Sequence, residues 1–326
     1  MSMNIKNSLL SVVVPCFNEE DNIIPFYEEF VKNECFFKEN DIRFEIIFVD
    51  DGSEDSTEDR IKELNMKDMR VGLVSLSGNA GKEASIYAGI KESSGSFICV
   101  MDVDLQDPPS LLPYMFTCIS EGYDQAVARR TTRDGEPVIR SWCAVRFYHL
   151  LNKVSGMDIP EGARDYRLMT RRTADAYLSA KDSMRYSKEI FEWTSFKTKW
   201  ICYENEERKH GTSGWSFASL VKYALDGLLA SSSSLFIISL IIAVISFIAG
   251  MITFAVCIVM GVSGSDMTPM MAVLCVMLLI NSFQMVFISL AGQYSMNAYR
   301  QSRGRPLYIR KGLIKPDTGR TEEEKE

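Results

Sequence analysis

One stretch of this chain limits its fold more than any other. Between Gly227 and Tyr299 the only charged residue is Asp266. Two apolar blocks, Leu235–Met260 and Met270–Ala291, flank it. As helices they would run about 39 and 33 Å at the α-helical rise per residue, against a bilayer hydrocarbon core of about 30 Å. Uncharged blocks of this length are rare in soluble cores, so each is expected to cross a membrane. The linker "GVSGSDMTP" is short enough to make the pair a hairpin. Beyond it, Met296–Lys315 carries Arg300, Arg303, Arg305, Arg310, Lys311 and Lys315 and no acid, which marks a cytoplasmic side. Two crossings return the chain to its starting side, so the N-terminal region and both termini are expected in the cytoplasm, with the protein in the plasma membrane. Ahead of the hairpin, "SFASLVKYALDGLLASS" spaces apolar residues helically around Lys222 and Asp226. It reads as an amphipathic helix, either on the membrane surface or packed on the soluble domain. The expected division is 1–214 a soluble domain, 215–234 the juxtamembrane helix, 235–292 two spans (about 235–260 and 270–291), and 293–326 a basic tail ending in the solvated "TEEEKE".

The chain as a whole has ordinary globular composition, 46% apolar and 24% charged. A net charge of −7 argues against a nucleic-acid binder built on phosphate contacts. Eight scattered cysteines with no Cys-x-x-Cys pair, and only two histidines, argue against a zinc site and a disulfide framework. The early apolar run "LLSVVV" stops at Pro15 before Asn18, Glu19 and Glu20, and is not read as a signal peptide.

Residues 8–130 alternate apolar, β-rich runs with helical stretches. The predicted strands are "SVVVPCF", "FEIIFVDD", "VGLVSL", "FICVMDVD" and "QAVARR", with helices beginning near Glu19, Glu54, Gly81 and Pro109. "DGSEDST" supplies turn and cap residues for the second helix. Residues 131–209 read as mixed: a helix near 137–155, the strand "DYRLMTR", a helix near 184–195 and the strand "TKWICYEN". Alternation of this kind predicts an α/β fold with a mostly parallel sheet covered on both faces. Ligands of such sheets bind at the carboxyl ends of the strands, where this chain places Asn18-Glu19, Asp50-Asp51 and Asp102-x-Asp104.

In "MDVDLQDPP", alternation in an extended segment would put Asp102, Asp104 and Gln106 on one side. Oxygen ligands of this kind suit Mg²⁺ or Mn²⁺, with substrate phosphates completing the shell. Asp107, ahead of Pro108 and Pro109, is read as a helix cap. Asp50 and Asp51 could accept from a nucleobase N–H or a ribose hydroxyl, or serve as a turn-and-cap pair. Lys82 in "SGNAGKEASIYAGI" stands at a helix start, where it could attract an anion or mark a plain helix N-terminus. This is not a Walker A loop, because the spacing is wrong. Arg129, Arg130, Arg133, Arg140, Arg146, Arg164, Arg167, Arg185, Arg208 and Lys209 form a basic set, mostly surface charges, some suited to a phosphate.

Taken in order, "VVVPCFNEE", "EIIFVDDGSEDST", "GNAGKEASIYAGI", "MDVDLQDPP", "GARDYRLMTRR" and "ERKHGTSGWSF", followed by two spans, resemble glycosyltransferase family 2. Within it they resemble the polyprenyl-phosphate glycosyltransferases, which include dolichol-phosphate mannose synthases and bactoprenol glucosyltransferases. The resemblance implies a GT-A fold and transfer of a sugar, foremost glucose from UDP-glucose, to undecaprenyl or another polyprenyl phosphate. It implies inversion at C1, Mg²⁺ or Mn²⁺ as cofactor, and a homo-oligomer, a tetramer in relatives. Pro15, Phe17, Glu19, Asp50 and Asp51 would surround base and ribose, with Lys82 beside the donor. Asp102, Asp104 and Gln106 would hold metal and diphosphate. Arg130 and Arg140 match lipid-phosphate positions, and Asp165 an acidic position proposed as a base. Arg208, Gly211 and Ser213 match an acceptor loop, in which Gly214 replaces the lysine of many relatives. Two rival readings are a processive polysaccharide synthase, whose Gln-x-x-Arg-Trp motif and extra spans are missing here, and a non-catalytic nucleotide-sugar-binding scaffold.

Overall fold

A computed structural model describes residues 4–130, 163–180, 187–203, 234–262 and 269–318. The chain divides into two units, Met1–Gly211 with Pro306–Glu326, and Thr212–Arg305.

The first unit is built on one eight-stranded sheet. In chain order its strands are β1 (Ser8–Cys16), β2 (Ile42–Asp50), β3 (Val71–Leu76), β4 (Phe97–Val100), β5 (Gln125–Arg130), β6 (Ala163–Thr170), β7 (Thr198–Tyr203) and β8 (Arg310–Ile314). Their spatial order is β7-β5-β6-β4-β1-β2-β3-β8. The β1–β2, β1–β4, β2–β3 and β5–β7 pairs are parallel. β6 runs antiparallel between β4 and β5, and β8 antiparallel along β3. The expected mostly parallel α/β sheet is therefore present.

Both faces of the sheet are covered, which is why the central strands read as continuous apolar runs rather than alternating ones. Successive side chains point to opposite faces. Leu10, Val12 and Val14 of β1 pack with the helices α1 (Ile23–Val31), α2 (Glu34–Glu39), α3 (Thr57–Lys67) and α5 (Leu112–Ser120), through residues such as Phe26, Phe37, Ile61 and Phe116. Val13 of β1 and Val49 of β2 face the other layer, with α4 (Lys82–Glu92), α6 (Arg171–Ser179) and α7 (Ser187–Trp193). At Gly89 of α4 an added Cβ would collide with Val13 Cγ1, so the missing side chain lets helix and strand approach closely. The segment expected as a helix near 184–195 contains α7. The expected strand "DYRLMTR" ends one residue inside α6, a helix the sequence pattern does not predict. Its start is capped by Thr170, whose Oγ1 accepts from Thr173 N at 3.4 Å.

Residues 310–314 lie in the stretch expected as a basic tail, yet they form the edge strand β8. Leu313 pairs with Val74 and Ile314 with Leu73. Arg310 reaches Glu92 at 2.6 Å and Lys311 reaches Glu58 at 2.9 Å, so two charges read as membrane-side markers also neutralise acids of α4 and α3.

The second unit holds α8 (Ser234–Val262) and α9 (Pro269–Ser302), running antiparallel. Ser239 meets Ser289, Asn281 Nδ2 donates to Ser246 Oγ at 3.0 Å, and Cys275 Sγ approaches Gly250 O at 3.5 Å. Ser239–Met260 and Met270–Met296 are each long and apolar enough to cross a membrane. Only 17% and 11% of their most apolar windows are buried, unlike the core helices of a soluble protein. α9 continues past the expected end at Ala291 to Ser302. The expected helices near 137–155 and 215–234 lie outside the described residues, apart from Ser234.

Candidate active site

The register brings the carboxyl ends of three strands together. Cys16 of β1 is opposite Asp50 of β2, and Val13 is opposite Val100 of β4. The chain leaving β1 turns at Asn18, whose φ is +53°. Asn18 N donates to Ser53 Oγ at 2.9 Å, and Glu54 N donates back to Asn18 Oδ1 at 2.9 Å. Glu19 N donates to Thr57 Oγ1 at 2.9 Å. Thus "NEE" and "DGSEDST" are laced into one rim. Gly52, at φ +73°, leaves no room for a Cβ, which would come within 2.6 Å of the Gly78 backbone.

A cavity of about 210 Å³ opens behind this rim. Pro15, Phe17, Glu19, Asp51, Lys82, Asp102 and Asp104 all line it, together with Ser85 and the buried Val103. Seven expected donor-site residues, far apart in sequence, therefore share one wall. Phe17 is 42% exposed, an aromatic side chain that is both open to solvent and part of the cavity lining. Asp51 is buried, and its two carboxylate oxygens accept from Ala80 N at 2.7 Å and Gly81 N at 2.9 Å. Burial pushes its pKa up, against those two donors. Asp51 therefore braces the loop before α4 as well as lining the cavity. Asp50 is not among the lining residues. It is buried, accepts from Ser53 N at 3.2 Å, and burial raises its pKa.

The acidic turn differs from the extended segment expected. β4 ends at Val100, and Leu105 adopts a left-handed φ of +56°. Asp102 and Asp104 still reach the same cavity, but Gln106 turns away. Its Oε1 accepts from Arg164 at 3.2 Å, while its N–H donates to Asp104 Oδ1 at 3.1 Å. Asp107 is not a helix cap either. It is buried, accepts from the Tyr203 hydroxyl, and lies 3.6 Å from Arg164 Nε. The short turn of helix that follows starts at Pro109 without a side-chain cap. Asp107 and Arg164, expected as a helix cap and as one of the basic set, are thus structural partners of the acidic turn. The one available signal was Tyr203 at a strand end, a polar-tipped aromatic needing a partner when buried.

Lys82 is the one basic side chain among the cavity-lining residues. Its Nζ lies 2.6 Å from Asp102 Oδ1 and 2.7 Å from Asp165 Oδ2. Burial works to raise the Asp165 pKa, but Lys82, Lys188 and Arg167 outweigh it and hold the group at about 2. Asp102 is pushed up by burial and by its acidic neighbours, against the pull of Lys82. Arg130 ends β5, half-buried at the same edge of the sheet. Arg140, Arg208 and Ser213, with Arg133, Arg146, Arg185, Lys209 and Gly211, lie outside the described residues.

The donor set fits a hard divalent cation. Among the described residues no cage of three or more His, Cys, Asp or Glu closes on one point. Two carboxylates share the wall instead, as Mg²⁺ sites completed by substrate phosphates require. An anionic diphosphate would also be repelled by Asp102 and Asp104 unless a cation stood between them.

The model of "Glycosyl transferase family 2" matches residues 11–178. CsbB of Bacillus subtilis (strain 168) is 34% identical over 309 residues, covering 94% of this chain and 92% of that protein. The prophage bactoprenol glucosyl transferase homolog of Escherichia coli (strain K12) is 31% identical over 310 residues, covering 94% and 99%. Among solved structures, glucosyl-3-phosphoglycerate synthase from Mycobacterium tuberculosis, in complex with Mn²⁺, UDP-glucose and phosphoglyceric acid, is 18% identical. It covers 68% of this chain and 79% of that one at a TM-score of 0.46. With its motifs gathered at the ends of β1, β2 and β4 and the family match spanning half its length, the chain belongs to glycosyl transferase family 2 and is a glycosyltransferase.

Proposed function

We propose that this glycosyltransferase moves a hexose, foremost glucose, from a UDP-sugar to undecaprenyl or a similar polyprenyl phosphate. The observation that carries the reading is the shared cavity lining, which includes the exposed aromatic Phe17 and the carboxylates Asp102 and Asp104. Phe17 offers a stacking face for a base, Glu19 a hydroxyl acceptor for the ribose, and Asp102 with Asp104 would hold the cation that binds the diphosphate. The names of the bactoprenol glucosyl transferase relatives support a polyprenyl phosphate acceptor.

The acceptor phosphate needs little base catalysis, since its second pKa is about 6 and it is already mostly anionic at neutral pH. Its oxygen bonds to sugar C1 as the C1–O bond to the nucleotide diphosphate breaks. Attack from the opposite face inverts C1 and gives a β-linked lipid-phosphate sugar from an α-linked donor. When bound, Mg²⁺ or Mn²⁺ supplies charge neutralisation on the departing diphosphate. Arg130, with Arg140, Arg208 and Ser213, is assigned to the acceptor phosphate through guanidinium and hydroxyl donors. Lys82 holds the Asp165 carboxylate below its ordinary pKa from 2.7 Å away, so we assign Asp165 to positioning that ammonium.

The apolar pair α8 and α9 is assigned to the membrane, where it keeps the polyprenyl chain close and turns a volume search into a surface one. Met1–Gly211, ahead of the two apolar helices, and Pro306–Glu326, after them and containing β8, belong to one sheet-built unit, which supports two crossings that return to one side. The basic stretch after α9 supports a cytoplasmic side. Gln284 supports a homo-oligomer: it is exposed among Phe283, Phe287 and Ile288 with no hydrogen-bond partner among the described residues. An amide in hydrocarbon gains by pairing with a second copy.

The test is a donor panel. Detergent-solubilised protein, undecaprenyl phosphate and labelled UDP-glucose, UDP-N-acetylhexosamines or GDP-mannose are incubated with and without a chelator. One donor should label a single lipid product, only with free metal. Polymer growth without lipid acceptor would point to a polysaccharide synthase, and nucleotide binding without transfer to a scaffold.

A further inference from the structure

Lys82 opens α4, and its ammonium is fully engaged by acids from two neighbouring strands. Asp102 follows β4, and Asp165 lies on β6, which pairs with β4. Nζ meets both Asp102 oxygens, Oδ1 at 2.6 Å and Oδ2 at 2.9 Å, and Asp165 Oδ2 at 2.7 Å. The side chain therefore does not extend a free charge toward an incoming anion. It neutralises Asp102, one of the two carboxylates placed to hold the metal, while Asp165 supplies a second seat for the same ammonium.

A cation can be held by Asp102 only by competing with that ammonium. A divalent ion arriving alone would find Asp104 and an already neutralised Asp102, a poor site for an ion that parts with its water reluctantly. Arriving with a diphosphate, it brings further anionic oxygens, and the ammonium can let go of Asp102 while keeping Asp165. We infer that Lys82 is an internal counter-ion that withholds Asp102 from the metal until the nucleotide diphosphate is present, making metal binding conditional on nucleotide binding. Asp165 is the positioning residue that receives the ammonium. This inference rests on the donor-site reading above and adds to it an order of binding.

The test is Mn²⁺ binding to the full-length protein in detergent, read from the electron paramagnetic resonance signal of free Mn²⁺, with and without UDP. In the wild type, Mn²⁺ alone should bind weakly and UDP should tighten it. Lys82→Met should bind Mn²⁺ alone about tenfold or more tightly than wild type, since a competing charge in contact with a ligand is removed. The gain from UDP should shrink by the same factor. Lys82→Arg, which keeps the charge, should behave as wild type. A merely structural lysine would not give opposite behaviour in these two variants. Lys82→Gln gives the same readout should the Met variant fail to fold. UDP-dependent Mn²⁺ binding that is equal in wild type, Met and Gln variants would overturn this inference and leave the donor-site reading standing. Absence of UDP and Mn²⁺ binding in every variant would overturn both.

Discussion

The Tyr203 hydroxyl donates to Asp107 Oδ1, tying the last residue of β7 to the acidic turn that follows β4. Arg164 completes the tie, facing Asp107 and donating to Gln106. The turn bearing Asp102 and Asp104 is thus held from below by groups on two other strands. Tyr203→Phe leaves the buried Asp107 carboxylate short of a donor, at a cost of about 1–3 kcal/mol. The expected result is a lower unfolding temperature in detergent together with weaker Mn²⁺ affinity in the presence of UDP. An unchanged Mn²⁺ affinity would separate the tie from the acidic turn.

Asp104 tests the proposed cation-binding wall from the other side. Its carboxylate lines the cavity without the buried role of Asp107. Asp104→Asn should fold normally and lose transfer activity by about two orders of magnitude or more, the size seen when a group stabilising charge in the transition state is removed. Near-normal turnover with an unchanged circular dichroism spectrum would take Asp104 out of the site.

Asp165 makes a prediction about pH. Its folded pKa, about 2, lies below the ordinary 3.8, so its contribution to stability is full above the ordinary value and fades as pH falls toward the folded one. It stays ionised throughout the neutral range. Any rise in rate between acid and neutral pH should then follow the acceptor phosphate, with a midpoint near ~6. That limb should persist in Asp165→Asn, at reduced amplitude. A limb that disappears in the variant would identify Asp165 as the titrating base.

The close approach of α4 to β1 predicts a stability effect. Gly89→Val puts branched carbon where Val13 Cγ1 already lies. Overpacking of this kind costs about 1–3 kcal/mol or more. The unfolding temperature should fall. An unaltered melting curve would show that the helix can shift freely.

Much of this was legible in the chain because the central strands are covered on both faces. "SVVVPC" and "FEIIFVD" have no solvent side, so they read as largely apolar runs, the second interrupted by the buried Glu45 and ending in Asp50. β8 did not read as a strand. "RKGLI" is an edge, exposed along Arg310 and Lys311, and its charges fit a basic tail equally well. Asp102 and Asp104 were found by residue type and place. The fate of Gln106 was not, because a left-handed Leu105 breaks the alternation that would put it beside Asp102 and Asp104, and Asp107, expected as a cap, is instead buried against Tyr203. The meeting of Lys82 with Asp165 depends on β6 lying beside β4, a neighbour relation set by sheet order rather than by any local pattern.

The central claim is transfer of glucose to a lipid phosphate, and one measurement addresses it most directly. Purified full-length protein is given radiolabelled UDP-glucose with or without undecaprenyl phosphate, and label extracted into organic solvent is counted. The account predicts a single labelled lipid, formed only when undecaprenyl phosphate and free Mg²⁺ or Mn²⁺ are both present. Label appearing in aqueous polymer without the lipid, or no labelled lipid from UDP-glucose at any metal concentration, would contradict it.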